Sequence, residues 1–358
     1  MIGLCMTFHI RDAQTEFAAY RATQSYTPLF LWGEAASVLG ELPTGSIDFC
    51  MTSPPYWQKR EYESGGIGLE PTFDQYRENL LDVFGQVQRV LKDTGSFWLN
   101  LGDTYQDKGL VGVPWRVALA LTDRQGWILR NDVVWNKIKG PDNTKDKLRN
   151  THEYIFHFVK QSRNFYYDIA SIRANPGQTR VKDGAIVSAT GVTGIRYKRQ
   201  IELSTALNTD EKAAAFHALE DMLQQMQRGE LSDFRMVIRN QQRTTHSDSQ
   251  IVSGRARELA LKGFYFLKYH PDGSKPGDVW EIVPEDTSKR GEHYAAYPED
   301  VCRIPLLATC PPDGIALDPF CGTGTTNFVA TQLGRKSVGI DISALYLEQA
   351  HQRCQLLL

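Results

Sequence analysis

The 358-residue sequence has no Cys-x-x-Cys pair, and no histidine cluster sits beside any of its six cysteines. That argues against a zinc site and fits the reduced, buried thiols of an intracellular protein. It has no Pro-Cys dipeptide, an absence that matters for the chemistry below. No stretch approaches the ~20 uncharged apolar residues of a membrane span. The short apolar run at the N-terminus is broken by His9, Arg11 and Asp12, so no signal peptide is expected. Positive charge is not in excess either: 40 Lys+Arg face 42 Asp+Glu, a net −2. Bulk charge therefore does not mark a nucleic-acid binder, and any such role must rest on where the charge sits. Internal repeats and low-complexity tracts are missing. So is a Gly-x-x-x-x-Gly-Lys-Ser/Thr segment, which excludes a Walker phosphate loop.

What is present is a hydrophobic content of 41%, enough for a full α/β core. Short apolar runs predict strands at 29–32, 47–51, 96–101, 127–137, 153–160, 279–283, 315–318 and 336–341. Helices are expected at about 72–92, 113–124, 209–228 and 299–309, and from Ser343 onward. The first of these places Leu80, Val83, Phe84, Val87 and Leu91 at helical spacing and should end at Asp93-Thr94-Gly95. Strand–helix alternation lapses over 173–265, which is polar and basic. The pattern predicts one doubly wound parallel α/β sheet from residues 1–172 and 266–358, interrupted by an inserted domain at 173–265.

Two segments carry chemistry. Near the C-terminus, Asp318-Pro319-Phe320-Cys321-Gly322-Thr323-Gly324-Thr325 ends a buried strand in an acid and opens a helix through a Gly-x-Gly turn. Gly322 and Gly324 let backbone approach a ligand closely. The next strand also ends in an acid, Asp341, placed to bond ribose hydroxyls at the carboxyl edge of the sheet. Asn327 takes the place of the third glycine of a dinucleotide fingerprint, so a ligand with ribose but without phosphates fits better.

Near the N-terminus, Thr52-Ser53-Pro54-Pro55-Tyr56 ends another strand, because proline cannot donate to a ladder. Ser53 supplies a hydroxyl acceptor, the Pro54 carbonyl a second acceptor, and Tyr56 a flat ring. That set suits a planar aromatic amine. Two acceptors on its hydrogens favour pyramidal nitrogen and expose a lone pair otherwise delocalised into the ring. Attack on a sulfonium methyl then needs positioning and charge arrangement rather than a covalent nucleophile.

Together Thr52–Tyr56 and Asp318–Thr325 resemble the amino-methyltransferases of DNA, in the circularly permuted order called the β group. The resemblance runs on through Gly68-Leu69-Glu70, Gly95–Tyr105, Trp135-Asn136-Lys137, Asn150–Lys160, Gly277–Ile282 and His293–Pro298. It implies a Rossmann-like methyltransferase sheet, S-adenosylmethionine as cofactor and no metal. Ser53, Pro54, Pro55 and Tyr56 would then be catalytic. Asp318, Phe320, Gly322, Gly324, Thr325 and Asp341 would contact the cofactor. So would Glu34, which stands where the family carries Asp after glycine. A serine at the head of the tetrapeptide is typical of cytosine-N4 enzymes, Asp or Asn of adenine-N6 enzymes. Cytosine-C5 methylation needs a thiolate attack that the missing Pro-Cys disfavours.

The implied substrate is double-stranded DNA with its target base flipped out. The implied setting is the cytoplasm of a prokaryote, at the nucleoid, with a cognate restriction endonuclease as a candidate partner and a homodimer left open. From 137 to 199, thirteen Lys/Arg face five acids, leaving +8 against about −10 elsewhere, which suits a DNA-steering face. The 173–265 insertion is expected to read the target sequence, with Arg196-Tyr197-Lys198-Arg199 and 239–246 as donor-rich segments. The Gly-rich loop at 64–68 is placed to close over the flipped base. A protein-glutamine or RNA methyltransferase, a decayed DNA-binding module and a dehydrogenase are the weaker alternatives.

Overall fold

The computed structural model describes residues 12–59, 66–138, 144–174, 180–182, 185–187, 194–240, 254–284 and 297–357. The chain divides into two compact units, residues 1–171 with 277–358, and residues 172–276.

The larger unit is built on eight strands: β1 (Leu29–Trp32), β2 (Ile47–Thr52), β3 (Leu91–Leu101), β4 (Ile128–Asn136), β5 (His152–Val159), β6 (Val279–Glu281), β7 (Ile315–Asp318) and β8 (Lys336–Asp341). They lie in the order β1-β8-β7-β2-β3-β5-β4-β6. Its helices are α1 (Ala13–Ala22), α2 (Ala35–Glu41), α3 (Phe73–Val90), α4 (Val113–Gln125), α5 (Glu299–Thr309), α6 (Thr325–Gln332) and α7 (Ala344–Gln355).

The sheet is mixed, which corrects the all-parallel expectation: β5 runs antiparallel to both β3 and β4. The connection explains it. Parallel neighbours need a long crossover, usually helical, whereas β4 returns into β5 with no helix among the described residues between them. Alternation along the central strands feeds two cores. Cys50, Phe97, Leu99, Phe156 and Phe158 face α1–α4. Phe49, Met51, Trp98, Val133 and Ile155 face α5 and α6. Strands buried on both sides read as continuous apolar runs, which is why they were visible in the sequence.

A second correction concerns the end of α3. Asp93-Thr94-Gly95 does not terminate a helix; it is a bulge inside β3. Pairing with β2 jumps from Ile47 opposite Leu91 to Phe49 opposite Ser96. Gly95 is required there because a Cβ would sit 2.9 Å from the Asp48 carbonyl oxygen. Helix α3 itself starts where Thr72 accepts from the Gln75 amide and stops at Val90.

One buried group gives the larger unit a pH-dependent stability. His157 stacks on Trp98, ring centroids 4.2 Å apart, and its Nε2 lies 3.0 Å from Ser96 Oγ. Burial first, and then Arg130, hold its imidazole down at about 3, against 6.5 when free. The unfolded chain therefore takes up a proton below pH 6.5 that the folded one refuses. The stability this group contributes is complete above pH 6.5 and falls by about 1.4 kcal/mol per pH unit on acidification. Urea unfolding of His157→Phe is expected to show a correspondingly flatter decline between pH 6.5 and 5. Parallel declines in variant and parent would show that His157 does not carry it.

The smaller unit has a core of Tyr197, Ile201, Leu219, Met222, Met226, Phe234, Met236 and Phe264. Asn208 and Glu211 form a reciprocal cap that starts helix Thr209–Gln227. This unit runs from 172 to 276, and in it strand Phe264–Tyr269 pairs antiparallel with Asp233–Ile238. Of the donor-rich segments, Arg196, Lys198 and Arg199 are exposed on helix Gly194–Glu202. Arg239 is bound to Glu211 at 2.9 Å and so belongs to the fold, and 241–246 lie outside the described residues.

Candidate active site

The parallel strands β2, β7 and β8 end side by side, so the turns that follow them share one edge of the sheet. The turn after β2 holds Ser53–Tyr56. The turn after β7 holds Phe320–Gly324. Asp341 closes β8. Two segments some 270 residues apart in sequence are thereby neighbours, and one hydrogen bond ties them: Thr52 Oγ1 donates to Asp318 Oδ1 at 2.6 Å.

Asp318 is engaged by the fold through both of its oxygens. It is 2% exposed. Its Oδ1 also accepts from the Phe320 amide at 3.1 Å. Its Oδ2 accepts from Thr326 Oγ1 at 2.7 Å and Tyr297 Oη at 3.1 Å. Four donors saturate the carboxylate, while burial raises its pKa to about 6. Asp318 is a brace between β2, α6 and the segment at Tyr297.

Gly324 and Thr325 are also part of this frame. Gly324 adopts φ +72°, and a Cβ there would lie 2.8 Å from the Ala350 methyl of α7. Its glycine serves helix packing. Thr325 is buried and its hydroxyl accepts from Arg353 at 3.1 Å. Glu34 caps α2, taking the amides of Ala36 and Ser37 at 3.1 and 2.8 Å.

The half-buried residues at this edge are Phe320, Asp341 and Ile342. Asp341 accepts from the Gly322 amide at 2.9 Å and the Ser343 amide at 2.8 Å, one on each oxygen. Each oxygen keeps a lone pair for an incoming hydroxyl. Phe320 and Ile342 offer apolar surface beside it. A partly open carboxylate at a strand end flanked by apolar side chains fits a ribose with an attached flat base.

The tetrapeptide is pinned from below. Tyr76 Oη donates to the Pro55 carbonyl at 2.9 Å. Ser53 Oγ donates to Tyr56 Oη at 3.2 Å, and Tyr56 Oη donates to Glu153 Oε2 at 2.7 Å. Asn100 Nδ2 reaches Ser53 Oγ (3.3 Å), Tyr56 Oη (2.8 Å) and Glu153 Oε2 (2.9 Å). Lys137 Nζ is paired with Glu153 Oε1. Burial, and next the Glu153 charge, push the Tyr56 phenol well above its ordinary range. The ring packs on Gly102, where a Cβ would come within 2.7 Å of Tyr56 Cε2. Ser53, Pro55 and Tyr56 are half-buried, and Pro54 is buried.

Asn100, Lys137, Glu153, Tyr297 and Thr52 were not individually assigned from the sequence. The available signals were Asn100, a polar residue with Ser96 in the buried run 96–101, and Glu153, an acid near the start of a buried strand. Lys137 counted toward a DNA-facing charge, but its ammonium is held by Glu153. Lys160 is likewise bound, to Asp93 at 2.9 Å.

Residues 47–352 match the N6/N4 family of DNA methylases. The chain is 31% identical to the Type II methyltransferase M.SfiI of Streptomyces fimbriatus, covering 88% of each. It is 28% identical to the Type II methyltransferase M.SmaI of Serratia marcescens, over 90% of this chain and 88% of the relative. The solved cytosine-N4-specific PvuII DNA methyltransferase has the same fold, with a TM-score of 0.54 at 16% identity, over 90% of this chain and 85% of that one. The chain belongs to the N6/N4 DNA methylase family: it is a DNA methyltransferase with an α/β methyltransferase fold. Its methyl donor is S-adenosylmethionine.

Proposed function

We propose that this enzyme methylates the exocyclic 4-amino group of a cytosine flipped out of duplex DNA. The carrying observation is Ser53. It heads the turn after β2, stays half-buried rather than sealed, and has its hydroxyl hydrogen directed away, onto Tyr56. An oxygen lone pair is then presented to an amine hydrogen, and the Pro54 carbonyl is the second acceptor. The Tyr56 ring stacks on the base, held at its height by Gly102. S-adenosylmethionine supplies an electrophilic methyl on a sulfonium. The protein supplies alignment, the larger part of the acceleration in such a transfer.

Flipping costs a few kcal/mol of unstacking. The 172–276 unit, with its exposed Arg196, Lys198 and Arg199, is the proposed reader of the flanking sequence. A Type II relationship to a cognate endonuclease fits the relatives, and a homodimer is compatible with the reading.

The test is incubation of the purified protein with mixed genomic DNA and S-adenosylmethionine, followed by nucleoside mass spectrometry. N4-methylcytosine is the expected product. N6-methyladenine would keep the fold and the site but overturn the cytosine assignment. No methylated base, from protein that binds the cofactor, would overturn methylation of a DNA base amine as the function.

A further inference from the structure

Methyl transfer to an amine leaves the nitrogen with one proton too many, and the site contains a route for it. We infer that Glu153 is the terminal acceptor of that proton, reached through Ser53 and Tyr56. The inference rests on the proposed amine methylation and adds the fate of the proton to it.

The hydrogen bonds already point one way. Ser53 donates to Tyr56, Tyr56 donates to Glu153, and the carboxylate accepts at the end of the line. A chain of hydroxyls oriented toward a base needs no reorganisation before a proton moves along it. The balance is as follows. The N–CH3 bond forms as the S–CH3 bond breaks, so the sulfonium charge passes to nitrogen. One N–H bond then breaks. Ser53 Oγ takes that proton as its own goes to Tyr56 Oη, and the Tyr56 proton goes to Glu153 Oε2. Glu153 ends as a neutral acid and returns the proton to water after product release. No oxidant or reductant enters.

The surroundings hold the Glu153 carboxylate in place. The groups facing Glu153 are Lys137 from the end of β4, Tyr56 from the turn after β2 and the neutral Asn100 from β3. Tyr76 of α3 faces the Tyr56 side. Lys137 is the one cation among them. It balances the carboxylate in a site where an unpaired charge would be costly. Asn100 fixes the geometry by touching all three oxygens of the line. Glu153 meets neither base nor cofactor: it is a positioning residue that acts through Tyr56.

The experiment is single-turnover methylation of genomic DNA by Glu153→Gln, Glu153→Ala and Tyr56→Phe across pH 5.5 to 9. Cofactor affinity and melting temperature are measured alongside. A rate about 10²-fold lower in all three is expected, in the range of a lost general base. Added formate should raise the Glu153→Ala rate at least tenfold and leave the parent unchanged. Tyr56→Phe keeps the ring and cuts the line, so it reads the relay even if the Glu153 variants fold poorly. Parent-like rates and profiles would overturn the inference. So would slow variants of which Glu153→Ala ignores formate, since that marks a brace. The parent's product identifies the base separately: N6-methyladenine would sink the cytosine reading and leave the relay standing.

Discussion

Ser53→Ala is expected to lower turnover by about 10²–10³-fold, the range seen when one preorganised hydrogen-bonding group is taken from a reacting centre. Alanine removes the acceptor that faces the amine and the first link of the line to Glu153. Tyr56→Ala should be at least as severe, because it also removes the ring and vacates the space against Gly102. Neither residue is bonded to Asp341, Phe320 or Gly322, so cofactor affinity should stay within about threefold of the parent. Turnover on DNA with cofactor saturating, paired with calorimetric titration of S-adenosylmethionine, separates the two. A similar drop in affinity in both variants would sink the division of labour between the two turns.

Asp341→Ala is expected to do the opposite. Loss of a charged hydrogen bond costs ~1.5–3 kcal/mol. The dissociation constant of S-adenosylmethionine should therefore rise about tenfold or more. The amides of Gly322 and Ser343 lose their acceptor too, so the turn that carries Phe320 loosens at the same time. Asp341→Asn tests which matters more: it keeps an acceptor for one amide and gives up the charge. If titration gives an unchanged constant for the alanine variant, Asp341 does not hold the ribose.

How much of this was legible in the sequence depended on whether the signal was local. The strand–turn–helix at 315–332 and the proline stop after β2 are short-range patterns, and both stand where the sequence placed them. The difference between Asp318 and Asp341 was not legible. Both are acids at the ends of buried strands. Only Thr52, Tyr297 and Thr326, converging from three parts of the chain, turn the first inward and saturate it. Glu34 shows the same limit on a smaller scale: its role as the cap of α2 was not read from the sequence. Asn100 and Glu153 needed a pairing register. Asn100 stands opposite Ile155 across β3 and β5, and β5 carries Glu153 to the Tyr56 hydroxyl only because it runs antiparallel. An expectation of parallel strands could not have brought them together.

The bond between Thr52 and Asp318 spans 266 residues of chain, and its strands are adjacent at the middle of the sheet. While the protein is being made, β2 emerges early, apolar on both faces, and its partner on one side does not yet exist. At about 5–20 residues per second the wait is on the order of 10–50 s. During it β2 is a bare sheet edge of the kind that recruits other strands. The order of motifs along this chain thus sets a biosynthetic problem as well as a catalytic geometry. Neither the amine turn nor the cofactor turn has its brace until the segment that carries Tyr297, Asp318 and Thr326 has left the ribosome.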